Sequence, residues 1–325
     1  MTNFDLDEQK HERPDIETTL NDLRDGEESE HISSTVFYGL SGLQTSELAT
    51  FATVWDSLEA DYRRRVLSEL AETSETNVDL DYDVLGWFAL DDDDDDVREA
   101  AIELLWENVS LELMNRLIDI ALTDESTHVR ATATSALGRF ILLGELDDLP
   151  ASEIHRAQRA AIQLLDDPKV DVRRRALEAI SNSSHEMVTP AIQAAHKSDD
   201  HKMRVSSIFA MGRSCDDTWG EEVLEALQSD ESEMRYEAAR AAGELMLEDA
   251  VKYLRKLVFE DDREVKEVAI WSLGEIGGTE ATRILERLAK DAETKEDEEL
   301  LEAIEDAIGS ASIGTSPLHM MRLDD

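Results

Sequence analysis

The chain has 325 residues, 76 of them acidic and 32 basic, for a formal net charge of −44. That balance argues against a nucleic-acid backbone or an anionic lipid surface as partner. One cysteine, Cys215, rules out an intramolecular disulfide, and no apolar run approaches the ~18 residues of a membrane-spanning helix.

Residues 1–33 are polar and acidic without apolar period, and are read as a disordered tail. The opening Met-Thr-Asn-Phe-Asp-Leu-Asp-Glu lacks the basic and apolar regions of a secretory leader, so a cytoplasmic protein is expected. Periodic sequence then fills 34–309. It is read as helical hairpins near 36–74, 76–108, 110–146, 150–184, 186–214, 217–246, 248–277 and 279–309. Residues 310–325 read as a second disordered tail.

The first hairpin carries Arg63 with Val66, Leu70 and Ala71. Six aspartates, Asp91–Asp96, precede Val97-Arg98 in the second. Leu113, Leu117, Ile118 and Ala121 open the third, which continues through Val129-Arg130, Ala133 and Leu137-Gly138. An unusually long step to Arg173 follows, and Ile141–Pro150 within it is read as an extended loop. From Arg173 the spacing is constant: Arg173, Arg204, Arg235 and Lys266 lie 31 residues apart. Leu301, with Ile304, Ile308 and Gly309, carries the register to the last hairpin.

Around each basic residue the pattern repeats. The residue before it is Val97, Val129, Val172, Met203, Met234 or Val265. Three later comes Ala101, Ala133, Ala176, Ser207, Ala238 or Ala269, and eight later usually a glycine: Gly138, Gly212, Gly243 or Gly274. Offsets −1, +3, +4 and +7 trace one face of an α-helix. An acidic residue about five positions earlier signals the helix start, and the small residue at +8 is read as closing it. An arginine and an aspartate recurring in unit after unit are read as a structural ladder. One hairpin cannot bury both its apolar faces, so neighbours must stack.

These phrases, Val129-Arg130 with Ala133 and Ala136-Leu137-Gly138 above all, resemble the HEAT-like repeat of phycobilisome lyase-type proteins. The resemblance implies an all-α, right-handed α-solenoid of about eight HEAT-like hairpins. It also implies that some relatives attach or remove a tetrapyrrole, while others are hydroxylases, DNA-repair proteins or scaffolds.

No catalytic, cofactor or metal motif emerges. The aspartate run lacks the alternate ligands, central glycine and distal glutamate of a calcium loop, and is read as a solvated loop that caps a helix. His185-Glu186 is the sole His-Glu pair outside the tail, where a di-iron hydroxylase of this repeat type needs four. Cys215 has no histidine beside it and reads as inert.

One face is read as functional. Offsets +1, +5 and +9 of the second helix point away from the core. In three successive hairpins that row holds Val205, Phe209, Arg213, then Tyr236, Arg240, Glu244, then Glu267, Trp271, Glu275. Arg139 and Arg174 occupy it earlier. Aromatics and arginine dominate binding hot spots, and the resemblance places this face in the concave groove. Either the strip binds a partner, or the C-terminal tail or tight curvature covers it. The expected protein is a monomeric, non-enzymatic scaffold, adaptor or regulatory subunit that holds a protein or peptide on Phe209, Arg213, Tyr236, Arg240, Trp271, Arg139 and Arg174. The alternative is a lyase-like or hydroxylase-like enzyme acting on a cofactor or modified side chain.

Overall fold

The structure is a computed structural model that describes residues 13–314, positions 30, 78 and 296 excepted. The described residues form α-helices with two short 3₁₀ turns and no strand. The fold is an all-α solenoid. The chain divides into two compact units, Met1–Ala136 and Leu137–Asp325.

The first unit opens with α1 (Ile16–Ser29), α2 (Ser34–Leu40), α3 (Leu48–Trp55) and α4 (Ala60–Thr76), followed by α5 (Asp83–Ala89), α6 (Asp95–Leu104) and α7 (Leu111–Thr123). Helix α1 corrects the expected tail boundary. Thr19, Leu20, Leu23 and Gly26, one helical stripe, are buried against the body. Thr19 fills the space beside Gly39 of α2, and Arg13 clamps the crossing through the Gly39 carbonyl (3.0 Å) and Glu47 (2.8 Å). Four small or apolar positions among many charges give a mean hydropathy too low to announce a helix, yet enough to dock one. The remainder of that tail, 1–12, lies outside the described residues.

Helix α8 (Thr127–Glu145) contributes residues to both units. It runs through half of the expected 141–150 loop. Phe140 and Ile141 are fully buried, so the apolar period continues past Gly138. The helix ends where Asp147 turns left-handed (φ 62°) and the Asp148 amide donates to the Leu143 carbonyl (2.9 Å).

The second unit continues with α9 (Ala151–Leu164), α10 (Val170–Ile180), α11 (Val188–His196), α12 (His201–Arg213), α13 (Gly220–Ala226), α14 (Ser232–Glu244), α15 (Val251–Leu257), α16 (Arg263–Ile276), α17 (Gly278–Lys295) and α18 (Glu298–Gly314). Helix α18 passes the expected end at 309, burying Ala311; positions 315–325 lie outside the described residues. Each first helix packs on its partner, α9 on α10 through α17 on α18, and the second helices stack in the order α10, α12, α14, α16, α18.

That stack explains the +8 glycines, and the explanation differs from the sequence reading. They do not close helices. A Cβ on Gly212 would lie 2.8 Å from the Cα of Ala241, one on Gly243 3.0 Å from that of Ser272, and one on Gly274 2.9 Å from that of Ala307. Each glycine lets the next second helix approach to backbone contact. Closure falls three residues later, at Cys215, Met246 and Gly277, all with positive φ.

Candidate functional site

The repeated arginines are structural. Each Nη1 donates to the carbonyl six residues back: Arg98 to Asp92 (2.9 Å), Arg130 to Asp124 (3.1 Å), Arg173 to Asp167 (2.9 Å), Arg204 to Ser198 (3.0 Å) and Arg235 to Ser229 (2.9 Å). Three arginines also reach the acid of the next turn: Arg63 to Asp92, Arg98 to Asp124 and Arg235 to Glu260. Asp94, Asp200 and Asp262 cap α6, α12 and α16 by accepting main-chain N–H groups.

The aspartate run is largely used by the fold. Asp92 accepts from the Trp55 indole (2.8 Å), Arg63 (2.8 Å) and the Asp94 amide (3.0 Å). Asp91 pairs with Arg116 and Asp93 with Arg63. Asp95 and Asp96 converge on His128 Nε2, at 3.5 and 3.4 Å, the group among the described residues whose spacing suits a metal ion. His185 accepts the Met187 amide at a turn (3.1 Å), and its expected counterpart, His11-Glu12, lies outside the described residues.

Within the second unit, α12, α14 and α16 carry five of the seven strip residues. Phe209, Arg240 and Trp271 stand at the same register on α12, α14 and α16. The Arg240 guanidinium lies 4.0 Å above the Phe209 ring and that of Arg213 5.7 Å from it. Glu244 lies 3.3 Å from Arg213 and 4.0 Å from Arg240, and Glu237 lies 3.1 Å from Arg240. This cluster is largely buried, with side-chain exposures of 18% for Arg240, 19% for Glu237 and 15% for Glu244. Nε and Nη2 of Arg240, and one oxygen each of Glu237 and Glu244, make no hydrogen bond among the described residues. Burial pushes both carboxyls above the ordinary glutamate range. Arg240 opposes the rise at both and is outweighed.

Beside the cluster opens a hollow of about 600 Å³. Arg213, Tyr236, Arg240 and Glu244 form one side, and Glu264, Glu267, Val268 and Trp271 of α16 the other. Tyr236 and Glu264 also wall a smaller hollow of about 230 Å³ that takes in Arg174, Val205 and Glu237. Trp271 remains 40% exposed and spreads over Gly243 of the preceding helix.

The strip is thus not the fully solvated face expected from the helical wheel. Phe209, Tyr236 and Arg240 are half-buried, because the glycine contacts bring successive second helices so close that the row falls into their seams. Arg174 sits at the smaller hollow, 3.6 Å from Glu178 and donating to Ser206 (3.2 Å). Arg139 lines neither hollow; its guanidinium stacks on Phe140 at 5.0 Å. Glu237, Glu244 and Glu264 complete the site and were not among the expected residues. Glu237, Arg240 and Glu244 follow i, i+3, i+7, so their pairing along one helix face was readable.

A family model described as HEAT repeats matches residues 82–151 and 220–305, so HEAT repeats are present in this chain. Three solved structures similar to it illustrate the range. The YibA protein of Escherichia coli is 18% identical, with 83% of this chain and 98% of that one covered and a TM-score of 0.42. Human deoxyhypusine hydroxylase in complex with glycerol is 17% identical, with 82% and 96% covered and a TM-score of 0.35. Importin beta, in an ammonium sulfate condition, is 12% identical, with 91% and 46% covered and a TM-score of 0.45. These likenesses concern the fold alone. No curated protein matches the chain. Among the described residues, no helix is long and apolar enough to cross a membrane.

Proposed function

We propose that this chain is a non-enzymatic interaction module, a cytoplasmic scaffold, adaptor or regulatory subunit. It takes a protein or peptide segment against α12, α14 and α16, and its repeats are of the phycobilisome lyase type. The observation that carries this reading is the larger hollow. Its walls combine two partly exposed aromatic rings, Tyr236 and Trp271, with arginines and carboxylates in one concavity. Such mixtures of aromatic surface and oriented charge are what hot spots use, and a solvated helix face has no need of them.

The test is a Tyr236→Ala/Trp271→Ala double variant, used beside wild type to capture partners from the native host. Helicity is expected to persist, with a loss of about 1 kcal/mol or less in stability for side chains this exposed. Capture of a stoichiometric partner is expected to fall at least tenfold, since hot-spot aromatics contribute about 2 kcal/mol or more. A variant that melts much earlier yet captures the same partner would make these rings core residues and end the proposal.

A further inference from the structure

Resting on that interaction face, we infer that its occupant is a basic segment, one that lays an arginine side chain into the hollow against Trp271. The hollow's own cations are committed: Arg240 lies between Glu237 and Glu244, Arg213 lies on Glu244, and both approach the Phe209 ring. An incoming anion has to displace these carboxylates while facing Glu264 and Glu267. An incoming cation meets acceptors already in place. Glu264 has no ion-pair or side-chain hydrogen-bond partner among the described residues. Glu267 is held by Arg263, which is 54% exposed and shared with Glu299.

The repeat register points to arginine in particular. Phe209 at +5 is covered by a guanidinium from +5 of the next second helix, Arg240, which two carboxylates flank. Trp271 is the following aromatic at +5, with Glu264, Glu267 and Glu244 around the same hollow. The next second helix offers it Asp306 at +5 instead of arginine. No cation of the described residues lies over the Trp271 ring. A guanidinium from outside completes there the arrangement that Arg240 completes within the chain. Its planar fork stacks on indole and bonds carboxylates edge-on, which an ammonium does not. The net charge of −44 favours the encounter over long range.

The test uses the full chain and short fluorescein-labelled peptides sharing one Gly-Ser-Leu frame, with arginines, lysines or glutamates at the same positions. Fluorescence anisotropy at physiological salt reads their binding. The arginine peptide is expected to bind about tenfold tighter than the lysine peptide, and the glutamate peptide not to bind. Trp271→Leu and Glu264→Gln/Glu267→Gln are each expected to weaken the arginine peptide about tenfold. Glu221→Gln/Glu225→Gln removes the same charge from exposed positions on α13 and is expected to change it less than about twofold. Equal binding of arginine and lysine peptides, or equal weakening by the α13 control, overturns the inference. So does a dimer in sedimentation that Trp271→Leu dissociates, because a second copy is then the occupant. If Tyr236→Ala/Trp271→Ala abolishes partner capture while the three peptides bind alike, the interaction face stands and its assignment to arginine falls. Undiminished capture by that double variant overturns the face itself.

Discussion

Arg98 with Asp124 in the first unit, and Arg240 with Glu237 and Glu244 in the second, are ion pairs of similar side-chain exposure and opposite character. Arg98 meets Asp124 edge-on through two hydrogen bonds (2.9 and 3.0 Å), and Asp124 also accepts the Ser126 amide (2.8 Å). Burial pushes the Asp124 carboxyl up, but bonds from Arg98 and Ser126 and the charge of Arg98 bring it below its ordinary range. Around Arg240 the contacts are longer and polar atoms are left without hydrogen bonds, so burial prevails and both glutamates rise. The glutamates are more deeply desolvated than Asp124 and also poorer in well-aimed hydrogen bonds, and both differences push them the same way. The satisfied pair is a fastening. The under-bonded cluster adjoins the hollow.

The largest expected effect sharpens that contrast. Arg98→Met leaves Asp124 buried with its main partner gone and strips a donor from the Asp92 carbonyl. It is expected to cost about 3–5 kcal/mol in urea unfolding. Arg240→Met leaves two carboxyls that burial already pushes above the ordinary glutamate range and that already make few hydrogen bonds. Its expected cost is about 1–2 kcal/mol. Equal costs would break the distinction between fastening and poised cluster.

An intermediate effect lies in pH. For Glu237 and Glu244 the folded pKa is above the ordinary glutamate value of 4.5. Their contribution is therefore fully present below 4.5 and is lost as pH rises through the folded value. Asp124 runs the other way. Its folded pKa lies below 3.8, so its contribution is present above 3.8 and lost as pH falls through the folded value. Lowering pH from 7 towards 4.5 is expected to stabilise wild type relative to Glu237→Gln/Glu244→Gln. Over the same range the advantage of wild type over Asp124→Asn should stay constant, shrinking only at lower pH. Parallel urea titrations at several pH values read both. A flat difference for the glutamate variant would remove the second half of the comparison.

What the sequence made legible was whatever repeats. The spacing of Arg173, Arg204, Arg235 and Lys266 gave the hairpins, and the offset arithmetic brought Phe209, Arg213, Tyr236, Arg240 and Trp271 to one region. What escaped depends on neighbours that one helix cannot reveal. The tight approach at Gly212 and Gly243 turned an expected solvated row into a seam. Glu237, at +2, lies off the +1, +5, +9 row and meets Arg240 by the i, i+3 relation. Helix α1 escaped because its docking face is a threonine, two leucines and a glycine. Arg139 occupied the right row but stacks on its own neighbour, Phe140, in a helix that runs on past the register of the others.

The smallest expected effect asks whether local fit also governs the backbone. Among the described residues, no left-handed residue follows α4 or α6 in the first unit, whereas α12, α14 and α16 in the second close on Cys215 (φ 52°), Met246 (φ 50°) and Gly277 (φ 65°) at one register position. Behind Met246 the Leu247 amide donates to the Ala242 carbonyl (3.0 Å), the bond of a Schellman closure. Gly277 combines its positive φ with an extended ψ (−155°), a conformation essentially restricted to glycine, whereas Cys215 and Met246 carry a Cβ at positive φ. Met246 is 68% exposed and Cys215 is exposed, so truncating either forfeits little packing. A left-handed residue with a Cβ is strained by about 1–2 kcal/mol, and glycine returns part of that relief through greater freedom in the unfolded chain. Met246→Gly and Cys215→Gly are each expected to stabilise by about 0.5 kcal/mol. A loss of stability in Met246→Gly, measured by urea unfolding, would mean that its exposed side chain holds the closure more firmly than the backbone strain opposes it.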